Sequence, residues 1–124
     1  MKIEVGQFVR FKDKRGIEYI RKIVEIPEDN RYASLYLDKE ANYSHGLSPK
    51  NVIKASYNII DLIKSKDIIL GRDGKMYQCW KIYKDYVFTY SKNKQGQTIT
   101  LVDYQIDKVL TKEQMEQMSY KVGE

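Results

Sequence analysis

The sequence is poor in the residues from which most catalytic sites are built. It has a single cysteine, Cys79, and a single histidine, His45. One cysteine cannot form an internal disulfide or a cysteine-based zinc site, and any Ser-His-acid triad would have to use His45. Gly46 and Pro49 indicate that His45 lies in a loop, where we expect a solvated or capping side chain. Cys79 falls in a predicted strand, where cysteine is usually a small buried hydrophobe.

Motifs that bind phosphate or metal ions are also missing. The segment GRDG at 71–74 lacks the Lys-Ser/Thr pair and the following helix of a P-loop, so it is predicted to be a turn. No D-x-D-x-D loop for calcium occurs, and no G-x-S-x-G surrounds a serine. Two carboxylates that meet across the fold are the arrangement that the sequence leaves open. We therefore expect a protein that is not an enzyme, with no catalytic residue, no cofactor and no metal site.

Long apolar runs are absent. No stretch approaches the roughly 20 residues needed to span a bilayer, and the first residues, MKIEVGQFVR, lack the apolar core of a signal peptide. The 124 residues are 42% hydrophobic and 31% charged, which is the balance of an ordinary globular protein. This length fits one domain or two very small ones. A cytoplasmic location without membrane contact is expected.

The periodicity that is present is mainly that of β-strands. Residues 17–26 are rich in Ile, Val and Tyr, which favour strands. Residues 31–37 alternate between apolar and polar side chains, and the intervening PEDN at 27–30 predicts a turn that joins the two strands into a hairpin.

The two halves of the chain repeat this order of elements. Residues 64–83 follow the pattern of residues 5–26, with Gly74 in the place of Gly16. The sequence therefore predicts a mainly β fold, between all-β and α+β, with two small SH3-like β-barrel units in tandem. One unit covers residues 1–58, and the other covers residues 59–124 and includes a short C-terminal helix. The segment between the two units, residues 56–63, contains four apolar residues: Ile59, Ile60, Leu62 and Ile63. They indicate that the two units pack rigidly against each other and could form one domain.

Two short helical segments have sequence signals of their own. Thr111 and Gln114 have the spacing of a capping box, which predicts the start of the C-terminal helix. Ser48 followed by Pro49 suits the first positions of a single helical turn, either α-helical or 3₁₀.

Residues 76–94 contain six aromatic side chains and four lysines. If this hairpin turns at Lys84–Asp85, so that Tyr83 lies opposite Tyr86, both of its faces have apolar residues. We expect one face to be buried, with Met76, Trp80, Ile82 and Val87. The other face would then point outward and carry tyrosines and a phenylalanine around Lys81: Tyr77, Tyr83, Tyr86, Phe88 and Tyr90.

A basic excess surrounds this hairpin, with eight basic and three acidic residues between Lys64 and Lys94. Aromatic rings among lysines can bind nucleic acid or form a protein-binding hot spot. The face can also be covered by the rest of the chain or by a second copy in a homodimer. The candidate binding residues are Tyr77, Lys81, Tyr83, Lys84, Tyr86, Phe88 and Tyr90, with Arg72, Lys92 and Lys94 as electrostatic support.

Three segments resemble small proteins of phages and prophages of Gram-positive bacteria: NVIKASYNIIDLI, KSKDIILGRDGK and VLTKEQMEQMSYKV. The resemblance extends over most of the chain. It implies an anti-defence protein, such as an anti-CRISPR, that acts in the host cytoplasm by binding a host protein or ribonucleoprotein. Two alternatives stay open, namely an accessory protein that binds nucleic acid or a signalling nucleotide, and a structural or assembly protein.

Overall fold

The computed structural model describes residues 3–26, 36–37 and 48–122. These ranges contain nine strands and one α-helix, so the prediction of a mainly β fold is confirmed. The strands are β1 (Phe8–Lys12), β2 (Glu18–Glu25), β3 (Tyr36–Leu37), β4 (Val52–Ser56), β5 (Ile68–Gly71), β6 (Met76–Ile82), β7 (Tyr86–Lys92), β8 (Thr98–Val102) and β9 (Ile106–Leu110), and the helix is α1 (Lys112–Val122). Short 3₁₀ turns cover Pro49–Asn51, Ile59–Leu62 and Asp103–Gln105. The predicted turn at 27–30, most of the predicted strand at 31–37 and the loop with His45 lie outside the described residues.

The chain divides into two compact units, residues 1–58 and 59–124. The first unit has an antiparallel sheet with the strand order β3-β2-β1-β4, and the second has the order β8-β7-β6-β5-β9. In both units a 3₁₀ turn precedes the last strand, which returns to pair with the first. Among the described strands neither sheet is closed, because its two edge strands do not pair with each other. The closed barrels that the sequence predicts are therefore not seen.

The first hairpin of each unit is closed by the same turn. Gly16 donates its backbone N–H to the carbonyl oxygen of Asp13 at 3.1 Å, and Gly74 donates to that of Gly71 at 3.0 Å. Both glycines have a left-handed backbone, with φ of +83° and +82°, which residues with a side chain rarely adopt. The glycine pattern that suggested the repeat therefore reflects a shared turn geometry.

A second shared turn precedes the first strand of each unit, at residues 4–7 and 64–67. In both turns the N–H of the first residue donates to the side chain of the fourth, at 2.7 Å and 2.8 Å. The third residue has a left-handed backbone in both cases, with φ of +94° at Gly6 and +79° at Lys66. The same turn is thus formed by a glycine in one unit and by a lysine in the other.

Each unit has its own buried face. In the first unit Val9, Phe11 and Ile23 form the core cluster, and Phe11 stacks on Tyr19 with ring centroids 5.5 Å apart. In the second unit, buried residues of neighbouring strands are paired directly opposite each other, and directly opposed residues lie on the same face of a sheet. The residues of this buried face are Ile69, Tyr77, Cys79, Val87, Thr89, Leu101 and Val109.

The helix α1 begins at the predicted capping box. The side-chain oxygen of Gln114 accepts the N–H of Thr111 at 3.0 Å, and Thr111 Oγ1 accepts the N–H of Gln114 at 3.2 Å. This reciprocal pair satisfies two backbone donors that have no partner inside the helix. The prediction for the C-terminal helix start is therefore confirmed. The single helical turn predicted after Ser48 is also confirmed, and it is a 3₁₀ turn at Pro49–Asn51.

Asp67 connects the start of β5 to the start of α1. Its carboxylate accepts the N–H of Lys64 at 2.8 Å through one oxygen and the N–H of Lys112 at 2.9 Å through the other. The side chain is fully buried, and a negative charge at a helix N-terminus is favourable. Asp67 therefore stabilises two elements at once.

We predict that Asp67→Ala lowers the free energy of unfolding by about 2–4 kcal/mol, because it leaves two backbone donors without their acceptor. The exposed Asp107 on β9 provides a control, and Asp107→Ala is expected to change the free energy of unfolding by less than about 0.5 kcal/mol. Urea denaturation of both variants measures the difference. Equal stability of the two variants would contradict this role of Asp67.

Candidate binding site

The hairpin β6–β7 has the predicted turn. The N–H of Tyr83 donates to the carbonyl oxygen of Tyr86 at 2.9 Å, so the turn lies at residues 84–85. Ile82 pairs with Val87, which is the next pair of the same register. The predicted pairing is therefore confirmed at the turn end of the hairpin.

Farther from the turn, the register shifts by one residue. Cys79 pairs with Thr89, so β6 has two residues, Trp80 and Lys81, in the interval where β7 has only Phe88. An extra residue of this kind is a β-bulge, which bends the strand and redirects its side chains. The single register predicted for the whole hairpin is therefore wrong beyond the bulge.

The buried face differs from the predicted one. We expected Met76 and Trp80 to be buried, but their side chains are 56% and 48% exposed, and this prediction is wrong. Tyr77, which we expected to point outward, is only 6% exposed. Val87 is buried as predicted, and Ile82 is half-buried.

Tyr77 is accommodated in the core because its hydroxyl group has a partner. The hydroxyl donates to Asp73 Oδ2 at 2.5 Å, and a buried tyrosine usually needs such a bond. The hydrogen bond lowers the pKa of Asp73 and raises the pKa of Tyr77. In the first unit Tyr19 donates in the same way to Asp13, at 3.2 Å. Tyr77 is therefore a structural residue and is removed from the candidate contacts.

Five aromatic rings lie together on the outward side of the hairpin. The centroid of Trp80 is 6.4 Å from that of Phe88 and 6.2 Å from that of Tyr90. Tyr83 and Tyr86 are stacked at 4.9 Å, and their centroids are 5.0 Å and 5.6 Å from that of Phe88. We call these five residues the ring face.

Much of the ring face is accessible to solvent. Tyr90 is 49% exposed, Trp80 is 48% exposed and Tyr86 is 36% exposed, whereas Tyr83 and Phe88 are half-buried. Four of the five were predicted as contact residues, and the structure brings these four together. Trp80 was missed because its hydrophobicity favoured the core, and the bulge that turns it outward has no glycine or proline to signal it.

Two lysines place their ammonium groups over rings at the two ends of the ring face. Lys81 Nζ lies 5.6 Å from the Tyr83 centroid, and Lys66 Nζ lies 5.8 Å from the Tyr90 centroid. Both distances are within the range of a cation–π interaction. Lys81 was predicted to belong to the site. Lys66 was not, although it is one of the basic residues of the segment.

The other predicted basic residues lie around the hairpin. Lys84 is exposed in the turn beside Tyr83. Lys92 and Lys94 are exposed at the opposite end, where β7 ends and the next turn begins. Arg72 lies in the turn before β6, and its Nε donates to the carbonyl oxygen of Tyr104 at 2.9 Å. A seven-residue strand is about 23 Å long, so Arg72, Lys92 and Lys94 are at the end of the hairpin away from Tyr83 and Tyr86.

The single cysteine, Cys79, is buried in the second unit. Burial raises the pKa of the Cys79 thiol to about 12, and the charge of Asp67 adds to the effect. A thiol that is protonated at neutral pH is a poor nucleophile. In the part of the chain that the structure describes, no three His, Cys, Asp or Glu side chains cluster in a way that could hold a metal ion. The one described helix is too short and too polar to cross a bilayer.

Comparison with known proteins gives no match for this chain among protein-family models, curated proteins or solved structures.

We predict that Tyr77→Phe reduces the change in the free energy of unfolding with pH in the acidic range. The lowered pKa of Asp73 means that its ionised form favours the folded state, so the contribution is present above the ordinary value of 3.8 and is lost as the pH falls through the lower folded value. The stability difference between wild type and Tyr77→Phe should therefore be largest above about pH 5 and should shrink as the pH falls from about 4 to 2. Thermal unfolding across this pH range, with Tyr104→Phe as an exposed control, measures it. A difference that is independent of pH would contradict the bond to Asp73.

We also predict that Cys79 reacts with Ellman's reagent only after unfolding. With a pKa of about 12, roughly 1 in 10,000 of the thiols is ionised at pH 8, and the side chain is fully buried. Absorbance should show almost no reaction in buffer and one thiol per chain in 8 M urea, while Cys79→Ala shows none in either. Rapid reaction of the native protein would contradict the buried position.

Proposed function

We propose that this protein is a non-catalytic binding protein that inhibits a host defence component, such as a CRISPR effector, by direct contact through the ring face. The observation that carries the proposal is the group of five adjoining rings on the outward side of the hairpin, three of which are well exposed. Contiguous exposed apolar surface on a small protein typically marks an interaction site. Tryptophan and tyrosine are the residues most enriched among binding hot spots.

The ring face is suited to binding because its side chains are already ordered. Trp80 packs against Phe88 and Tyr90, and all three project from paired strands. Side chains that hold the same position before and after binding lose little conformational entropy on association. The rigid rings therefore supply contact area at a small entropic cost.

The nature of the partner is supported by charge and by resemblance. Lys66 and Lys81 are at the two ends of the ring face, and Lys84 adds a positive charge at the turn, which favours an acidic partner surface. The resemblance to phage proteins of Gram-positive bacteria supports a host protein, and a defence component is the host target that such a small binding protein would block.

Binding to single-stranded nucleic acid is a second candidate. Its supporting observation is the combination of ammonium groups and rings on one sheet, since bases stack on aromatic rings while lysines contact phosphates. The two candidates differ in their response to salt, because binding to phosphates releases counterions and weakens steeply as the salt concentration rises.

We predict that the double variant Trp80→Ala/Tyr90→Ala loses the partner while remaining folded, because both rings are about half exposed. The matched control is Tyr104→Ala, which truncates a ring that is 74% exposed outside the ring face. Truncation of one hot-spot ring typically costs about 2 kcal/mol or more, which is roughly a 30-fold loss of affinity.

The measurement is capture by the tagged protein from a lysate of a Gram-positive host that has been treated with nuclease, with circular dichroism as the check on folding. We expect wild type and Tyr104→Ala to retain the same defence protein and the double variant to lose it. Retention by the double variant would contradict the ring face as the contact surface. Binding that disappears with nuclease would favour the second candidate, and self-association through the ring face would favour an assembly role.

A further inference from the structure

We propose that Lys66 contacts the partner by binding a carboxylate on an acidic protein surface. In this proposal the fold tolerates a strained backbone at Lys66 because the side chain serves that contact. The inference rests on the proposed function, because it takes the ring face as the contact surface. It adds a residue and a ligand chemistry that the sequence pattern did not assign.

Lys66 has a left-handed backbone conformation. Its φ is +79°, and it is the only described residue other than glycine with a positive φ. This region is unfavourable for a residue with a Cβ atom. Gly6 has the corresponding position in the first unit, with a φ of +94° and the same turn hydrogen bonds. The turn itself therefore does not require a lysine, and glycine would form it with less strain.

Two hydrogen bonds to β6 hold the turn 64–67 beside the ring face. The N–H of Lys66 donates to the carbonyl oxygen of Cys79 at 2.9 Å. The neighbouring Ser65 donates its hydroxyl group to the carbonyl oxygen of Trp80 at 3.1 Å. With both residues bound to β6, the exposed side chain of Lys66 extends over the Tyr90 ring, where its Nζ lies 5.8 Å from the centroid. Strained residues that persist are concentrated at functional sites.

The positive charges of the ring face lie at its two ends. Lys66 at the Tyr90 end and Lys81 at the Tyr83 end leave an apolar centre with a basic rim. Protein interfaces commonly have an apolar core and a polar rim, and complementary charge on the rim guides the association. The surface that fits this arrangement is an apolar patch bordered by Asp and Glu.

The same geometry makes nucleic acid the weaker fit. The rings of Tyr90 and Tyr83 each have an ammonium group over them. Trp80 is stacked on Phe88, and Tyr83 is stacked on Tyr86. A base needs a free ring face on which to stack. Most of the rings here use a face for a neighbour within the protein, so fewer faces are free for bases, which favours a protein partner over nucleic acid.

The test compares three single variants. Lys66→Gly removes both the strain and the charge, and Lys66→Asn removes the charge with a residue that tolerates the left-handed region. Lys14→Gln is the matched control, since it removes an exposed lysine charge from the turn between β1 and β2, outside the candidate binding residues. Binding is followed by the fluorescence of Trp80, which is the only tryptophan of the chain and part of the ring face. The probes are poly-L-glutamate and, in a separate arm, a 20-nucleotide oligo(dT).

We expect Lys66→Gly to raise the melting temperature by about 2–6 °C, because it relieves strain, and to weaken poly-L-glutamate binding about threefold to tenfold. Lys66→Asn should show the same loss of binding, and Lys14→Gln less than about a twofold change. A fall in melting temperature for Lys66→Gly would show that the lysine serves the fold and would overturn the proposal. Failure of the wild type to bind poly-L-glutamate, or tighter oligo(dT) binding that depends on Lys66, would overturn the assignment of a carboxylate.

These outcomes separate the inference from the proposed function. If the ring face captures a host protein and the Lys66 variants capture it equally well, the inference fails and the proposed function stands. If Lys66 governs poly-L-glutamate binding but Trp80→Ala/Tyr90→Ala still captures the same host protein, the proposed contact surface fails and the anion contact stands.

Discussion

The β-bulge in the hairpin β6–β7 determines both the core and the surface of the second unit. On the far side of the bulge Cys79 points inward, and on the turn side Ile82 does so, because β6 has one residue more than β7 in this interval. The same extra residue turns Trp80 outward, next to Phe88 and Tyr90. With a uniform register, burial of Cys79 would direct Ile82 to the solvent. The ring face therefore depends on the bulge.

The features that were predicted from sequence depend on local interactions. The turn at 84–85 and the capping box of Thr111 and Gln114 each involve a few neighbouring residues, whose identities carry the signal. The choice of buried face could not be predicted in this way, since both faces of the hairpin are apolar. Tyr77 enters the core because Asp73 accepts its hydroxyl group, and Trp80 leaves the core because of a bulge. Alternation along a strand reveals neither.

The two units share the same turn geometry, but equivalent positions have different side chains with different contacts. In the turn 4–7 the side chain of Gln7 accepts one backbone N–H. At the equivalent position Asp67 accepts that hydrogen bond and, through its second oxygen, the N–H at the start of α1. The neighbouring change, from Gly6 to Lys66, places a charge over the Tyr90 ring. Within this short segment the same turn geometry, with different side chains, positions a helix cap and an ammonium group over the Tyr90 ring.

Site-specific photo-crosslinking is the most direct test of the proposal that the ring face contacts a host protein. A benzophenone side chain is introduced at Tyr86, within the ring face, and separately at Tyr104, which is more exposed but outside it. After irradiation in host cells, we expect a single protein crosslink from position 86 that survives nuclease and none from position 104. Crosslinks of equal yield from both positions, or from position 104 alone, would contradict the claim.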